Sequence, residues 1–304
     1  MLLDVGDGHR VFWEAWGRED GVPVVVLHGG PGSGIAPWMR ELLDRDAFRV
    51  VAFDQRGCGR STPHAGIDGA AALRANTVSH LVADVERVRV AAGVERWLVV
   101  GGSWGSTLGL AYAQAHPEAV SGMALFSVAT TTRREVAWIT RDLGRLFPEA
   151  WERFAGGVPE AERDGDLAAA YHRLLMSSNT GVAERAAVEW CRWEDAIVGA
   201  TAPGPRFEDP VFRLGFARLV TWCWSHGAWL EEGALLRGAA SLAGIPGVLI
   251  HGRLDLSSPL DVPWSLSRAW PGSELVVIED EGHHGGSAMT AAIRAAAALL
   301  VDRS

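Results

Sequence analysis

Cysteine is scarce in this sequence. Cys58, Cys191 and Cys223 are scattered through 304 residues with no C-x-x-C pair, so neither a disulfide framework nor a cysteine-built zinc site is indicated. Basic residues form no long block, and the formal net charge is −9; nucleic acid is therefore not an expected partner, and the acidity reads as ordinary solubility. After Met1 comes "LLDVGDGHR", without the basic stretch and apolar core of a signal peptide. No uninterrupted apolar run is long enough to span a bilayer. The expected setting is cytoplasmic, with no membrane partner. Charged residues are 21% against 48% hydrophobic, enough apolar material for a folded globular protein rather than a disordered one. The length suits an α/β core carrying an inserted subdomain.

What is present alternates. "RVFWEAW" switches between apolar and polar residues as an early edge strand would. "PVVVLHG" and "RVVAFDQRG" are short β-branched runs that end in glycine-containing turns, the pattern of buried parallel strands. "TVSHLVADVERVRVAAGV" has helical spacing with Thr77 as its N-cap. "RWLVVGGSWG" is a buried strand leading into the helix "STLGLAYAQAHP", and "VSGMALFSVAT" is a strand again. Strand and helix in alternation predict a parallel sheet covered on both faces. From about Thr131 to Ala240 the strands stop, helical stretches take over, and seven of the 14 tryptophans gather there. "GVLI" and "LVVI" then resume the sheet, and "GSAMTAAIRAAAALLV" closes the chain as an amphipathic helix. The expected division is an α/β core over 1–130 and 241–304 with a helical cap over 131–240.

Gly101-Gly102-Ser103-Trp104-Gly105 is a G-x-S-x-G pattern. The pattern alone is weak, but here an apolar strand precedes it and a helix follows, the setting of a nucleophile elbow. A serine hydroxyl needs a base, and the base an orienting acid; the elbow predicts the chain order serine, acid, histidine. Asp255 in "HGRLD" and His283 in "EGHH" stand just past strands in that order, with Asp261 as a weaker rival acid and His284 as the rival base. Asp280 and Glu281 read as solvated loop charges. Acyl transfer also needs two backbone donors for an oxyanion. Trp104, after the nucleophile, supplies one, and Gly30 in the loop "HGGPGSG" supplies the other. His28 in that loop reads as a side chain that locks it. Nothing in these motifs calls for a metal or cofactor.

"HGGPGSG", "DQRGCGRS", "GGSWGSTL", "GRLD" and "EGHH", in this order over nearly the whole chain, resemble the proline iminopeptidase family of α/β-hydrolases. The resemblance implies an α/β-hydrolase fold with a cap and an aminopeptidase that removes an N-terminal residue, typically proline. It implies Ser103 as nucleophile, Asp255 as acid, His283 as base, and Gly30 with Trp104 as oxyanion hole. It also implies that Glu194, in "WCRWEDA", holds the substrate's free amine, which makes physical sense for an ammonium entering a partly desolvated pocket. The sequence departs from the family at one point. Where a second glutamate is usual, in a stretch like "ARIE", this chain has "ARLV" with Val220. That loss points to altered specificity, with Trp193, Trp222 or Trp224 forming an aromatic pocket for a larger or less polar substrate unless Glu208 or Asp209 fills the gap.

The reaction expected is amide hydrolysis after an N-terminal aminoacyl group, through an acyl-enzyme. The substrate is a short peptide or a small molecule with a free amine. Two alternatives use the same triad: removal of an aminoacyl group from a non-peptide biosynthetic intermediate, and ester hydrolysis.

Overall fold

A computed structural model describes residues 1–198 and 205–302; positions 199–204, inside the expected cap, lie outside the described residues. Eight strands form one sheet: β1 (Leu2–Gly6), β2 (His9–Gly17), β3 (Val22–Leu27), β4 (Phe48–Asp54), β5 (Trp97–Gly102), β6 (Val120–Phe126), β7 (Gly247–Gly252) and β8 (Ser273–Ile278). Their spatial order is β1-β2-β4-β3-β5-β6-β7-β8. The first two strands pair antiparallel and the rest run parallel. β5 is buried at every position, which only a strand covered on both faces requires.

The stretch "RVFWEAW" is a strand, β2, but not an edge. β1 covers it, through a tight turn in which Asp7 and Gly8 have φ of 57° and 80°. Two consecutive positive φ values make the turn that Asp-Gly favours in a hairpin.

Helices α1 (Val78–Ala91), α2 (Trp104–Ala115) and α8 (Asp261–Ala269) pack on one face, and α9 (Ser287–Asp302) with the one-turn helix Met39–Leu42 on the other. Thr77 stands at the N-cap of α1, but its hydroxyl bonds His80 Nδ1 at 2.7 Å and does not cap the backbone. Among the described residues no strand lies between β6 and β7. This insert holds α3 (Arg133–Thr140), α4 (Pro148–Gly156), α5 (Leu167–Leu175), α6 (Thr180–Ile197) and α7 (Pro210–Ser225), besides single turns. It has a core of its own, in which Phe154 is sandwiched between Tyr171 and Trp193 at centroid distances of 4.8 and 5.2 Å. Among the described residues no helix is long and apolar enough to cross a membrane.

Candidate active site

β5 ends at Gly102 and α2 begins at Trp104, so Ser103 takes the whole reversal of the chain. Its φ of 54° and ψ of −125° lie where residues with a Cβ rarely sit. The flanking glycines permit this. A Cβ on Gly101 would stand 2.4 Å from the Gly105 carbonyl oxygen, and one on Gly105 would stand 2.2 Å from that of Leu27. Any larger residue would push α2 off the sheet and take the serine with it.

Three side chains from distant loops meet at this turn. His283 Nε2 lies 3.1 Å from Ser103 Oγ, and His283 Nδ1 lies 2.8 Å from Asp255 Oδ2. An acceptor at Nδ1 fixes the proton there and leaves Nε2 to accept from the serine. Asp255 is buried, and its other oxygen accepts from Ser257 Oγ at 3.0 Å and from the Ser258 N–H at 2.9 Å. Burial alone would raise the Asp255 pKa, but the charge and hydrogen bond of His283, with His251 and the Ser258 N–H, outweigh it and hold the pKa below its ordinary value. For His283, burial alone would lower the pKa. The charge and hydrogen bond of Asp255, helped by Glu194, reverse this and leave it raised.

Neither rival takes part in these contacts. Asp261 pairs with Arg134 at 2.7 Å on the surface. His284 is exposed, its ring 6.2 Å from that of His283.

Two further residues, Glu281 and His251, tie together the loops that carry this constellation. Glu281 is not a solvated charge: its carboxylate accepts from the backbone N–H groups of Gly286, Ala288 and Met289 at 2.7–2.9 Å. It thereby ties the His283 loop to the start of α9, where a negative charge is favoured. Asp280, by contrast, is exposed. His251 is fully buried at the end of β7. Its Nδ1 accepts from the Val128 N–H at 2.9 Å, and its Nε2 donates to the Ser258 carbonyl at 2.7 Å, which joins the loop after β6 to the loop carrying Asp255. Burial lowers its pKa, against the pull of Asp255.

Gly30 and Trp104 border the same cavity as Ser103. The Trp104 N–H opens α2 and so has no acceptor within the helix. The Trp104 indole donates to Gln55 Oε1 at 2.9 Å, and Gln55 Nε2 donates to the His28 carbonyl at 3.0 Å. The His28 ring accepts from the Gln55 N–H at 3.1 Å through Nε2 and donates through Nδ1 to the Gly29 carbonyl at 2.9 Å. His28 thus braces the loop, as read from the sequence. The Gly30–Pro31 peptide is cis.

The cavity measures about 910 Å³. Its insert side is a mainly apolar wall built from Val136, Ile139, Ile197, Phe212, Phe216 and Trp224, with Glu194, Glu135 and Arg206 as its charged members. Glu194 Oε1 accepts from the Trp190 indole N–H at 3.1 Å. Burial pushes its carboxyl pKa up to about 7, against the lowering pull of Arg206, His283 and the Trp190 N–H. The residue is half-buried and borders the cavity.

The other two tryptophans proposed for substrate contact stand elsewhere. Trp193 is buried in the insert core and donates to the Ile139 carbonyl at 3.1 Å. Trp222 donates to the Asn76 carbonyl at 2.9 Å and packs on His226 and Trp229. Trp224 is the one that reaches the cavity. Positions two apart on a helix point in nearly opposite directions, so Trp222 and Trp224 cannot share a face. Val220 is fully buried in the insert core. Asp209 caps α7 by accepting from the N–H groups of Val211 and Phe212, and neither it nor Glu208 borders the cavity. The gap left by Val220 is therefore not filled by either acid.

Comparison with known proteins agrees with this architecture. A family model described as the α/β hydrolase fold matches residues 22–286. A probable proline iminopeptidase of Streptomyces coelicolor is 50% identical over 301 residues, covering 97% of this chain and 93% of that protein. The proline iminopeptidase of Neisseria gonorrhoeae is 42% identical, covering 92% of this chain and 89% of that protein. A crystal structure of a proline iminopeptidase from Mycobacterium smegmatis superposes with a TM-score of 0.63 at 21% identity, over 100% of this chain and 98% of that one; at that identity it speaks for the fold. With identity of this level over nearly its full length, the chain belongs to the proline iminopeptidase family of α/β-hydrolases.

Proposed function

We propose that this enzyme is a serine aminopeptidase that removes an N-terminal residue, proline or another apolar residue, from short peptides through an acyl-enzyme. One observation carries the reading: the Glu194 carboxylate stands in a mainly apolar wall of the cavity that Ser103 and His283 border, where the other insert carboxylate, Glu135, is already taken up by the Thr130 and Thr132 hydroxyls and Arg206 adds a cation. A peptide's N-terminal ammonium pairs with Glu194, and the side chain of its first residue lies against the apolar wall. The scissile carbonyl then falls to Ser103. His283 takes the serine proton as Oγ attacks, and Asp255 stabilises the imidazolium that forms. The oxyanion is held by the N–H groups of Gly30 and Trp104. His283 next protonates the departing amine, and a water activated by the same imidazole hydrolyses the acyl-enzyme.

The apolar wall and the buried Val220 support a broader first-residue preference than proline alone. The test is a profile of aminoacyl naphthylamides with free and acetylated amines, together with simple esters, on the wild type and on Ser103→Ala. Fast cleavage of free-amine prolyl or leucyl amides, lost in Ser103→Ala along with fluorophosphonate labelling, is the expected result. Turnover of esters alone would replace the aminopeptidase reading with an esterase.

A further inference from the structure

The cavity is at the upper end of the roughly 300–1,000 Å³ that hold drug-sized ligands, more than one aminoacyl group fills. Its wall continues from the oxyanion loop past Ile35 and Trp38 to Glu14, Arg40 and Arg60 on the sheet side of the molecule. There Phe12, Glu14 and Trp16 alternate along β2 and so share one face. The Arg60 guanidinium lies over the Phe12 ring at 3.6 Å from its centroid, and that of Arg40 over Trp16 at 4.9 Å. Both reach the same oxygen of Glu14, Oε1, at 2.7 Å from Arg40 and 3.4 Å from Arg60. Arg60 also donates through Nε to Asp54 at 3.0 Å, but Asp54 is buried beneath it and accepts from the Ile35 and Arg60 N–H groups as well. What the cavity meets is two half-exposed cations and two carboxylates, Glu14 and the buried Asp54, whose oxygens are already engaged by Arg60 and the Ile35 N–H. Each guanidinium has five donors, and these contacts use two on Arg60 and one on Arg40.

We propose that this end of the cavity is a subsite for the C-terminal carboxylate of the leaving peptide, held by Arg40 and Arg60. The proposal rests on the aminopeptidase reading and adds a second charge to what the enzyme recognises. Guanidiniums stacked on aromatic rings are already oriented and lose little freedom on binding a carboxylate. Arg60 follows β4, which lies two strand spacings from β5, roughly 10 Å. An extended chain covers about 3.3–3.6 Å per residue, so the guanidiniums are matched to a leaving group of about two to three residues. The substrate class is tripeptides and tetrapeptides with a free carboxyl terminus.

The experiment compares Pro-Ala-Ala with a free C-terminus against the same peptide amidated, and includes prolyl naphthylamide, which has no carboxylate. The wild type should favour the free acid over the amide by about tenfold in kcat/KM, mainly through KM. Arg60→Gln and Arg40→Gln should each bring that ratio towards one, and Glu14→Gln, which removes the competing anion shared by both arginines, should raise it. Arg40→Gln guards against misfolding, because the Arg40 side chain bonds Glu14 and not the buried Asp54. A wild-type ratio of one, or equal loss on acid and amide in both arginine variants, would overturn the proposal and leave the cluster as a strap between β2 and the Met39–Leu42 helix. Inactivity of the wild type on prolyl naphthylamide would instead overturn the aminopeptidase reading, and this subsite with it.

Discussion

The Trp190 indole N–H donates to Glu194 Oε1 at 3.1 Å, from one turn earlier on the same helix. This contact aims the carboxylate and satisfies one oxygen, yet it does not neutralise the charge. The ammonium of a substrate would. Removing one partner of a desolvated pair costs about 3–5 kcal/mol, less where water reaches it. Glu194→Gln, which keeps the shape and the Trp190 contact, should lower kcat/KM on free-amine amides by about a hundredfold. On acetylated amides or simple esters the loss should be no more than a few-fold. Parallel kinetics on the two substrate sets check this, and equal losses on both would take the amine site away from Glu194.

The same substitution should stabilise the fold, in a way that depends on pH. The Glu194 pKa is raised by burial from 4.5 to about 7, so the folded state binds this proton more tightly than the unfolded chain. The wild type therefore loses stability from this group as pH rises from 4.5 through about 7. Glutamine has no such loss. The stability gained by Glu194→Gln should be small at pH 5 and grow to about 1–3 kcal/mol at pH 8. Urea or thermal unfolding of both proteins at the two pH values measures it. A difference that does not change with pH would show that the carboxylate is not strained by burial.

Glu194 also bears on the base. His283 must be neutral to accept the serine proton, so the rate falls as pH drops through its pKa. That pKa is raised above 6.5 by Asp255 and by Glu194, against burial. Removing the Glu194 charge should lower it. On an ester that makes no use of the amine site, the acid limb of the kcat/KM profile should thus lie at lower pH in Glu194→Gln than in the wild type. Superimposable limbs would mean that the two groups do not sense each other.

The elbow could be read from the sequence because its strain has one solution: the backbone at Gly101 and Gly105 leaves no room for a Cβ. Asp255 and His283 could be read because both stand just past parallel strands, where the sheet delivers side chains to one edge. Glu281 could not, because it caps α9 across five to eight residues rather than through a local S-x-x-E pattern. β1 was missed although Asp7-Gly8 marks its turn, since five residues show too little alternation to be recognised. The tryptophans show the general limit. Helical spacing says that Trp222 and Trp224 face different ways, but which of them faces the cavity is settled by how α7 packs on α5 and α6.

That packing also defines the most demanding substitution. Phe216, Val220 and Trp224 form one stripe along α7, at i, i+4 and i+8. Phe216 and Trp224 border the cavity, and Val220 lies fully buried between them. A glutamate at this position is longer than valine, and its carboxylate has the cavity to reach for. In Val220→Glu a second anion should join Glu194 around the substrate amine and lower KM for prolyl amides by about five- to tenfold. The fold should lose about 1–3 kcal/mol, because a well-packed core residue is replaced by a polar one. Val220→Gln separates charge from shape. It should carry a similar stability loss without the gain in KM. If the two variants match in KM, the new carboxylate does not reach the amine, and the specificity of this chain is set by its apolar wall rather than by the missing acid.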